Sequence, residues 1–199
     1  MNAKLIINEV EVALGHKALE DIAFMLEDIP EHRDIFHELA KTKSSGILFN
    51  LVDKENLRRL TLRLLIEDNC LEVMRTVVGS RRAIRHMTRR DLENYLAAGD
   101  KEILATLAEK LDSITEVHEV CEKEWLCEKL AGQKDPAVRF ALAENTDTPE
   151  RFLEELVEDE DLDVARQAEK TLIEIREKEE EEEADDEDDE IDDDDDIPL

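Results

Sequence analysis

Glycine and proline are scarce in this 199-residue chain, five of one and four of the other, too few turn makers to close a succession of β-hairpins. No stretch alternates apolar and polar residues between turn signals, so strands are not expected and an all-α fold is. Aromatic residues make up 4% of the chain, which leaves Leu, Ile, Val and Ala to fill the core, a composition suited to closely stacked helices. Three cysteines, Cys70, Cys121 and Cys127, are too few and too irregular for a disulfide framework and read as reduced, partly buried apolar residues. Long hydrophobic runs are missing too. Asn8, Glu9 and Glu11 interrupt the apolar opening MNAKLIINEVEVAL before a signal-peptide core can form, and no later run approaches a membrane span. The cytoplasm is therefore the default compartment, with no membrane partner expected.

Positive charge is the other shortage: 26 Lys and Arg face 55 Asp and Glu, a net charge of −29. The imbalance is local. Residues 177–196 hold seventeen carboxylates against Lys178, so 16 of the 29 negative charges lie in this window. Like charges with nothing apolar to bury stay disordered. Residues 177–199 are accordingly expected to form a disordered polyacidic tail, and residues 1–176 a folded domain large enough for a substantial core.

Within that domain a pattern recurs. RDIFHELAKT, CLEVMRTVVGS, DKEILATLAEK, DPAVRFALAEN and LDVARQAEKT each carry a β-branched anchor, at Ile35, Val73, Ile103, Val138 and Val164. Four residues on stands another apolar or small side chain: Leu39, Val77, Leu107, Leu142 and Ala168. That spacing places both on one helical face. LAEKLDSITEVHEV matches LAENTDTPERFLEEL best, with Leu107, Ala108, Glu109, Asp112 and Ser113 against Leu142, Ala143, Glu144, Asp147 and Thr148. Ser113 with Glu116 has capping-box spacing, Thr148 with Pro149 reads as a cap followed by a first helical residue, and Thr88 with Asp91 looks like another helix start. The spacing predicts about five helix pairs, each a helix, a polar break and a capped helix.

Residues Asp135, Pro136, Val138, Arg139, Ala143, Asn145, Thr148, Pro149, Leu153, Leu156, Asp159, Asp161 and Val164 resemble the leucine-rich repeat variant family. Its units read approximately D-x-x-V-R-x-x-x-A-x-N-x-x-T-P-x-x-x-L-x-x-L-x-x-D. The chain is also similar, more loosely, to HEAT-like helical repeats. The likeness is specific over about residues 131–172 and decays upstream. It implies a right-handed α-solenoid of short helix pairs. Some members carry a cysteine-rich module for an iron-sulfur cluster ahead of the repeats; this chain has no such module, and no cofactor is carried over.

One section departs from the acidic rule. Lys54, Arg58, Arg59, Arg63, Arg75, Arg81, Arg82, Arg85, Arg89 and Arg90 outnumber Glu55, Glu67, Asp68 and Glu72 over residues 54–90. Guanidinium forks suit two-point contacts to carboxylate or phosphate. The nine arginines are therefore candidate partner-binding residues on a concave face. The competing reading is a solvated face whose charges pair with neighbouring carboxylates. The net charge opposes approach to nucleic acid, and an aromatic platform for single strands is missing around these arginines.

Chemistry is otherwise thin. There is no phosphate-cradling glycine loop, no G-x-S-x-G elbow and no cysteine with a base in sequence context. His118 and Cys121 are three apart on one expected helix, but two ligands make a poor metal site. Core packing is the expectation there, with Trp125 in the same apolar stripe; His16, His32, His37 and His86 form no ligand spacing. The sequence thus points to a non-enzymatic protein-binding adaptor or scaffold without metal or cofactor. The alternative is a nucleic-acid-associated factor whose basic face is masked by its own acidic tail, since a flexible tether makes self-masking cheap.

Overall fold

The computed structural model describes residues 4–7, 9–115 and 120–189. Strands β1 (Lys4–Ile7) and β2 (Val10–Ala13) open the chain as an antiparallel hairpin. Thirteen α-helices follow among the described residues: α1 (His16–Met25), α2 (Arg33–Ala40), α3 (Ser45–Val52), α4 (Arg59–Ile66), α5 (Leu71–Gly79), α6 (Arg81–Ile84), α7 (Arg89–Ala98), α8 (Lys101–Glu109), α9 (Leu111–Thr115), α10 (Val120–Ala131), α11 (Pro136–Glu144), α12 (Glu150–Val157) and α13 (Leu162–Asp189). None is long and apolar enough to cross a membrane. The fold is all-helical apart from the hairpin.

That hairpin corrects the expectation of no strands. Ile7 pairs with Val10, and Glu9 between them takes φ 67°, the positive φ that a two-residue hairpin connection requires, adopted here without glycine. Val10 and Val12 suit the extended backbone. Four-residue strands are too short to register as an alternating run.

The helices pack in sequence order. One set runs α1 on α3, α3 on α5, α5 on α8, α8 on α11 and α11 on α13, while α2 packs on α4 and α10 on α12. The i, i+4 anchors explain the first set. Val73 and Val77, Ile103 and Leu107, Val138 and Leu142, and Val164 and Ala168 are all buried on successive members. Ile35 breaks the series: it lies on α2 and is 43% exposed. The equivalent pair is Ile47 and Leu51 on α3, preceded by Leu19 and Ala23 on α1, all buried. Successive anchors Leu19, Ile47, Val73, Ile103, Val138 and Val164 make six members among the described residues, not five, with spacings of 26 to 35 residues.

Cations tie consecutive units together at a fixed offset. Lys54 Nζ donates to the Leu26 carbonyl at 2.8 Å, and Arg82, 28 residues further on, donates to the Lys54 and Leu57 carbonyls at 3.1 and 2.8 Å. Lys54 thereby meets a carbonyl just past the end of α1 that has no intrahelical partner, where positive charge also suits the helix dipole. Asn145 does the same between later units, donating to the Ala108 carbonyl at 2.7 Å.

The expected helix starts fare unequally. Thr88 and Asp91 form a reciprocal capping box at α7, and Asp135 caps α11 by accepting from the Ala137 amide at 3.0 Å. Thr148 is a correction. Its buried hydroxyl donates to the Leu142 carbonyl at 2.7 Å and so closes α11, leaving α12 without a side-chain cap. Ser113 is buried inside α9 and does not open a helix there. Glu116 and His118 lie outside the described residues, as does the side chain of Cys121.

The last helix also departs from expectation, continuing through Asp189 into the stretch expected to be disordered; residues 190–199 lie outside the described residues. Among the described side chains Leu172 is its last buried apolar residue and Arg176 its last tie to the fold, at 3.1 Å from both Glu150 and Glu154 of α12. From Glu177 to Glu180 every residue is exposed, so this part of the helix is propagated from its packed portion and buries nothing. Deleting residues 177–199 is expected to leave the thermal midpoint nearly unchanged. A large drop in a calorimetric or circular-dichroism melt would show that the tail packs on the fold.

Candidate functional site

Most of the nine arginines are engaged by other groups of the chain. Arg58, preceding α4, meets Asp34 of α2 at 2.5 Å. Arg63 of α4 forks onto Asp91 of α7 at 2.6 and 3.1 Å and holds Glu67 at 2.8 Å. Arg75 of α5 forks onto Asp100, the N-cap of α8, at 3.1 and 2.6 Å and reaches Glu102 at 3.0 Å. Arg81 approaches Asp112 at 3.5 Å, Arg82 is spent on the two carbonyls above, and Arg85 is engaged as well. Arg89 bonds Glu93 at 3.4 Å and stacks over the Trp125 ring of α10, 4.4 Å from its centre.

Seven of the nine are thus partnered, mostly by groups on neighbouring units. Arg59 and Arg90 alone have no partner among the described residues, and both are exposed. Arg90 borders a polar cavity of about 410 Å³ between α4 and α7, which Arg63, Asn69 and Asn94 also line. The pairing continues beyond the basic section, where Arg151 of α12 meets Glu124 of α10 at 3.0 Å. A chain of arginine contacts therefore runs α2 to α4, α4 to α7, α7 to α10 and α10 to α12.

Titration behaviour fits this use. Burial alone would raise the Asp91 carboxyl, but hydrogen bonds from Arg63 and Thr88 outweigh it and hold it below the usual carboxylate range. The fork from Arg75 likewise holds Asp100 low. Burial raises the Tyr95 phenol, whose hydroxyl donates to the Ile66 carbonyl at 3.1 Å. Burial also pushes the Cys127 thiol up to about 11. Cys127 is protonated at neutral pH and poorly suited to nucleophilic work. Among the described residues no three of His, Cys, Asp and Glu converge as metal ligands.

Two features go beyond the sequence reading, the cation contact of Trp125 and a groove. Trp125 sits against Arg89, so the one tryptophan is already occupied by a cation. The second is an open groove of about 700 Å³ between α11 and α13. Ala137, Phe140 and Val164 supply its apolar wall, and Asp161, Asp163, Arg166 and Lys170 line it with charge of both signs. Phe140 is half-buried and packs on the core, whereas Arg166 and Lys170 are exposed. Phe140, two residues after the anchor Val138, was the available signal: that position points off the core stripe, where an aromatic is unexpected.

Comparison of the chain with protein-family models, with curated proteins and with solved structures found no match.

Proposed function

We propose that residues 1–176 form a right-handed α-solenoid, related in plan to leucine-rich repeat variant and HEAT-like proteins, that works as a non-enzymatic protein-binding adaptor or scaffold. The groove between α11 and α13 is the observation that carries this reading. It offers an apolar wall flanked by two cations and two carboxylates, a combination that fits a partner segment bearing an apolar anchor beside charged residues. Stacked helix pairs supply extended surfaces of this kind. The free thiols of Cys70 and Cys127 suit a reducing compartment such as the cytoplasm. The acidic tail serves as a solubilising brush.

The arginine-rich section takes a structural role in this reading, since most of its guanidiniums already hold neighbouring helices together. A nucleic-acid role would need those cations free for phosphate. The test is affinity capture from cell extract, with and without nuclease, using the full chain, a chain ending at Arg176, and the double variant Arg166→Glu, Lys170→Glu. Protein partners shared by the first two, indifferent to nuclease and lost from the double variant are expected. Partners that appear only after truncation and vanish with nuclease would overturn the adaptor reading in favour of a masked nucleic-acid site.

A further inference from the structure

A second groove lies between other units of the stack. The polar cavity between α4 and α7 adjoins another, of about 520 Å³, lined by Asn69, Leu71, Met74, Asn94, Ala97 and Ala98. Asn69 and Asn94 border both. One wall is α7, where Arg90, Asn94 and Ala98 follow at four-residue intervals and so share a face. The other runs from the end of α4 through Asn69 into the start of α5. The lining changes along the groove. Arg63, Glu67, Arg90 and Asp91 mark one end, the two asparagines the middle, and Leu71, Met74, Ala97 and Ala98 the other end.

We infer that this groove docks an extended peptide segment of a partner protein, held by its main chain at the asparagines and by one apolar side chain at the apolar end. Both carboxamides are exposed, and neither has a hydrogen-bond partner among the described residues. A carboxamide offers donors and an acceptor together, the combination that a peptide group needs. An extended main chain presents its N–H and C=O groups sideways, as it does to a neighbouring strand. Two carboxamides bordering one groove can therefore hold successive peptide groups of such a segment. This extends the adaptor reading to a site that does not depend on the groove between α11 and α13.

Spacing suits that occupant. Four residues of helix advance about 6 Å and two residues of extended chain about 6.6 Å. Alternate residues of the segment thus keep step with Arg90, Asn94 and Ala98 along the groove. Charge disfavours other occupants. The two cations and two carboxylates of the polar end cancel, and Arg63 already holds both Asp91 and Glu67. Such a lining attracts neither a phosphate backbone nor a strongly charged segment, which leaves hydrogen bonding and apolar contact to select. At the apolar end Leu71 is 44% exposed, and the flexible thioether of Met74 adapts to side chains of varied shape. Covering Leu71 with an apolar side chain supplies affinity beyond the modest net gain of solvent-exposed hydrogen bonds.

The experiment is binding of the full chain to an array of charge-neutral, acetylated hexapeptides; basic ones are left out because they adhere to an acidic chain. A set of bound sequences sharing one apolar position is expected. Asn69→Ala with Asn94→Ala should weaken binding of that set roughly tenfold or more. Ala98→Glu, which sets a charge at the apolar end, should act in the same direction. Both variants should keep the wild-type melt, since all three side chains are exposed. N-methylation of the main-chain amides flanking the apolar residue should abolish binding, a change that a site reading side chains alone would tolerate. Arg166→Glu with Lys170→Glu should bind the set like the wild type. No bound peptide, or binding indifferent to the asparagines or to N-methylation, would overturn the inference. A set lost from the Arg166 and Lys170 variant but kept by the asparagine variant would overturn it too, and would place peptide binding in the groove between α11 and α13.

Discussion

Replacing Val138 or Leu142 by aspartate is expected to abolish the cooperative thermal melt. Both side chains are fully buried on α11, between α8 and α13. An unpaired carboxylate there cannot reach water, and its burial costs several kcal/mol against a total stability of about 5–15 kcal/mol. Packing in sequence order sharpens the effect, since a helix that leaves its place uncovers both neighbours. Ile35→Asp supplies the control. The sequence alignment sets Ile35 beside Val138, yet its partial exposure on α2 lets a carboxylate reach solvent, so a change within about 0.5 kcal/mol is expected. Circular-dichroism melts of the three variants check both claims. Wild-type melting in Val138→Asp, or unfolding by Ile35→Asp, would show that the register of the helices is different.

The second large effect is expected at Arg139, which leaves only 8% of its side chain exposed and faces Asp159 with 7% exposed. Its fork meets both carboxylate oxygens, Nε to Oδ2 at 2.6 Å and Nη2 to Oδ1 at 2.9 Å. Its Nη1 donates to the Gln133 and Lys134 carbonyls at 2.8 and 3.1 Å. One side chain thereby fastens the loop before α11 to the loop before α13. Arg139→Ala leaves a buried carboxylate unpaired and two carbonyls without donors. A loss of about 3–5 kcal/mol is expected, or roughly 6–20 °C in melting temperature for a chain of this size. Arg139→Lys should recover only part of it, because an ammonium cannot fork. Removing both charges, as Arg139→Met with Asp159→Leu, should cost less than Arg139→Ala. A loss below about 1 kcal/mol for Arg139→Ala would mean that the pair behaves like a surface ion pair.

The same pair sets an acid dependence. Hydrogen bonds from Arg139 hold the Asp159 carboxyl below its usual range, so its folded value is depressed relative to the unfolded one, about 3.9. Its contribution is fully present above the unfolded value and is lost as pH falls through the folded one. Lowering pH also relieves the repulsion of a strongly acidic chain, so the informative quantity is a difference. The gap in melting temperature between wild type and Asp159→Asn should be constant near neutrality and narrow in acid. A gap that holds constant into strong acid would show that Asp159 does not titrate differently on folding.

Short-range features were legible in the sequence because their causes are short-range. The i, i+4 apolar pairs marked the buried stripes of α5, α8, α11 and α13, and Thr88 with Asp91 marked the start of α7. Few glycines and prolines left long helical stretches uninterrupted. Misreadings arose where a residue's partner lay outside its own segment. Thr148 before Pro149 has the local look of a helix cap, but its hydroxyl is taken by Leu142, six residues back. Ile35 followed by Leu39 has the right spacing, yet only packing assigns it to α2 while Ile47 and Leu51 join the core set.

The arginines show most clearly what tertiary structure decided. Charge, fork geometry and clustering over residues 54–90 are properties of the sequence, and they are compatible with a binding face or with internal ties. Which applies depends on whether a carboxylate or carbonyl stands close by, and the partners of Arg63, Arg75 and Arg82 between units sit 23 to 28 residues away, on a neighbouring unit of the stack. The stripe that makes each helix is written within four residues; the partner that occupies a guanidinium is fixed only when one helix pair comes to rest on the next.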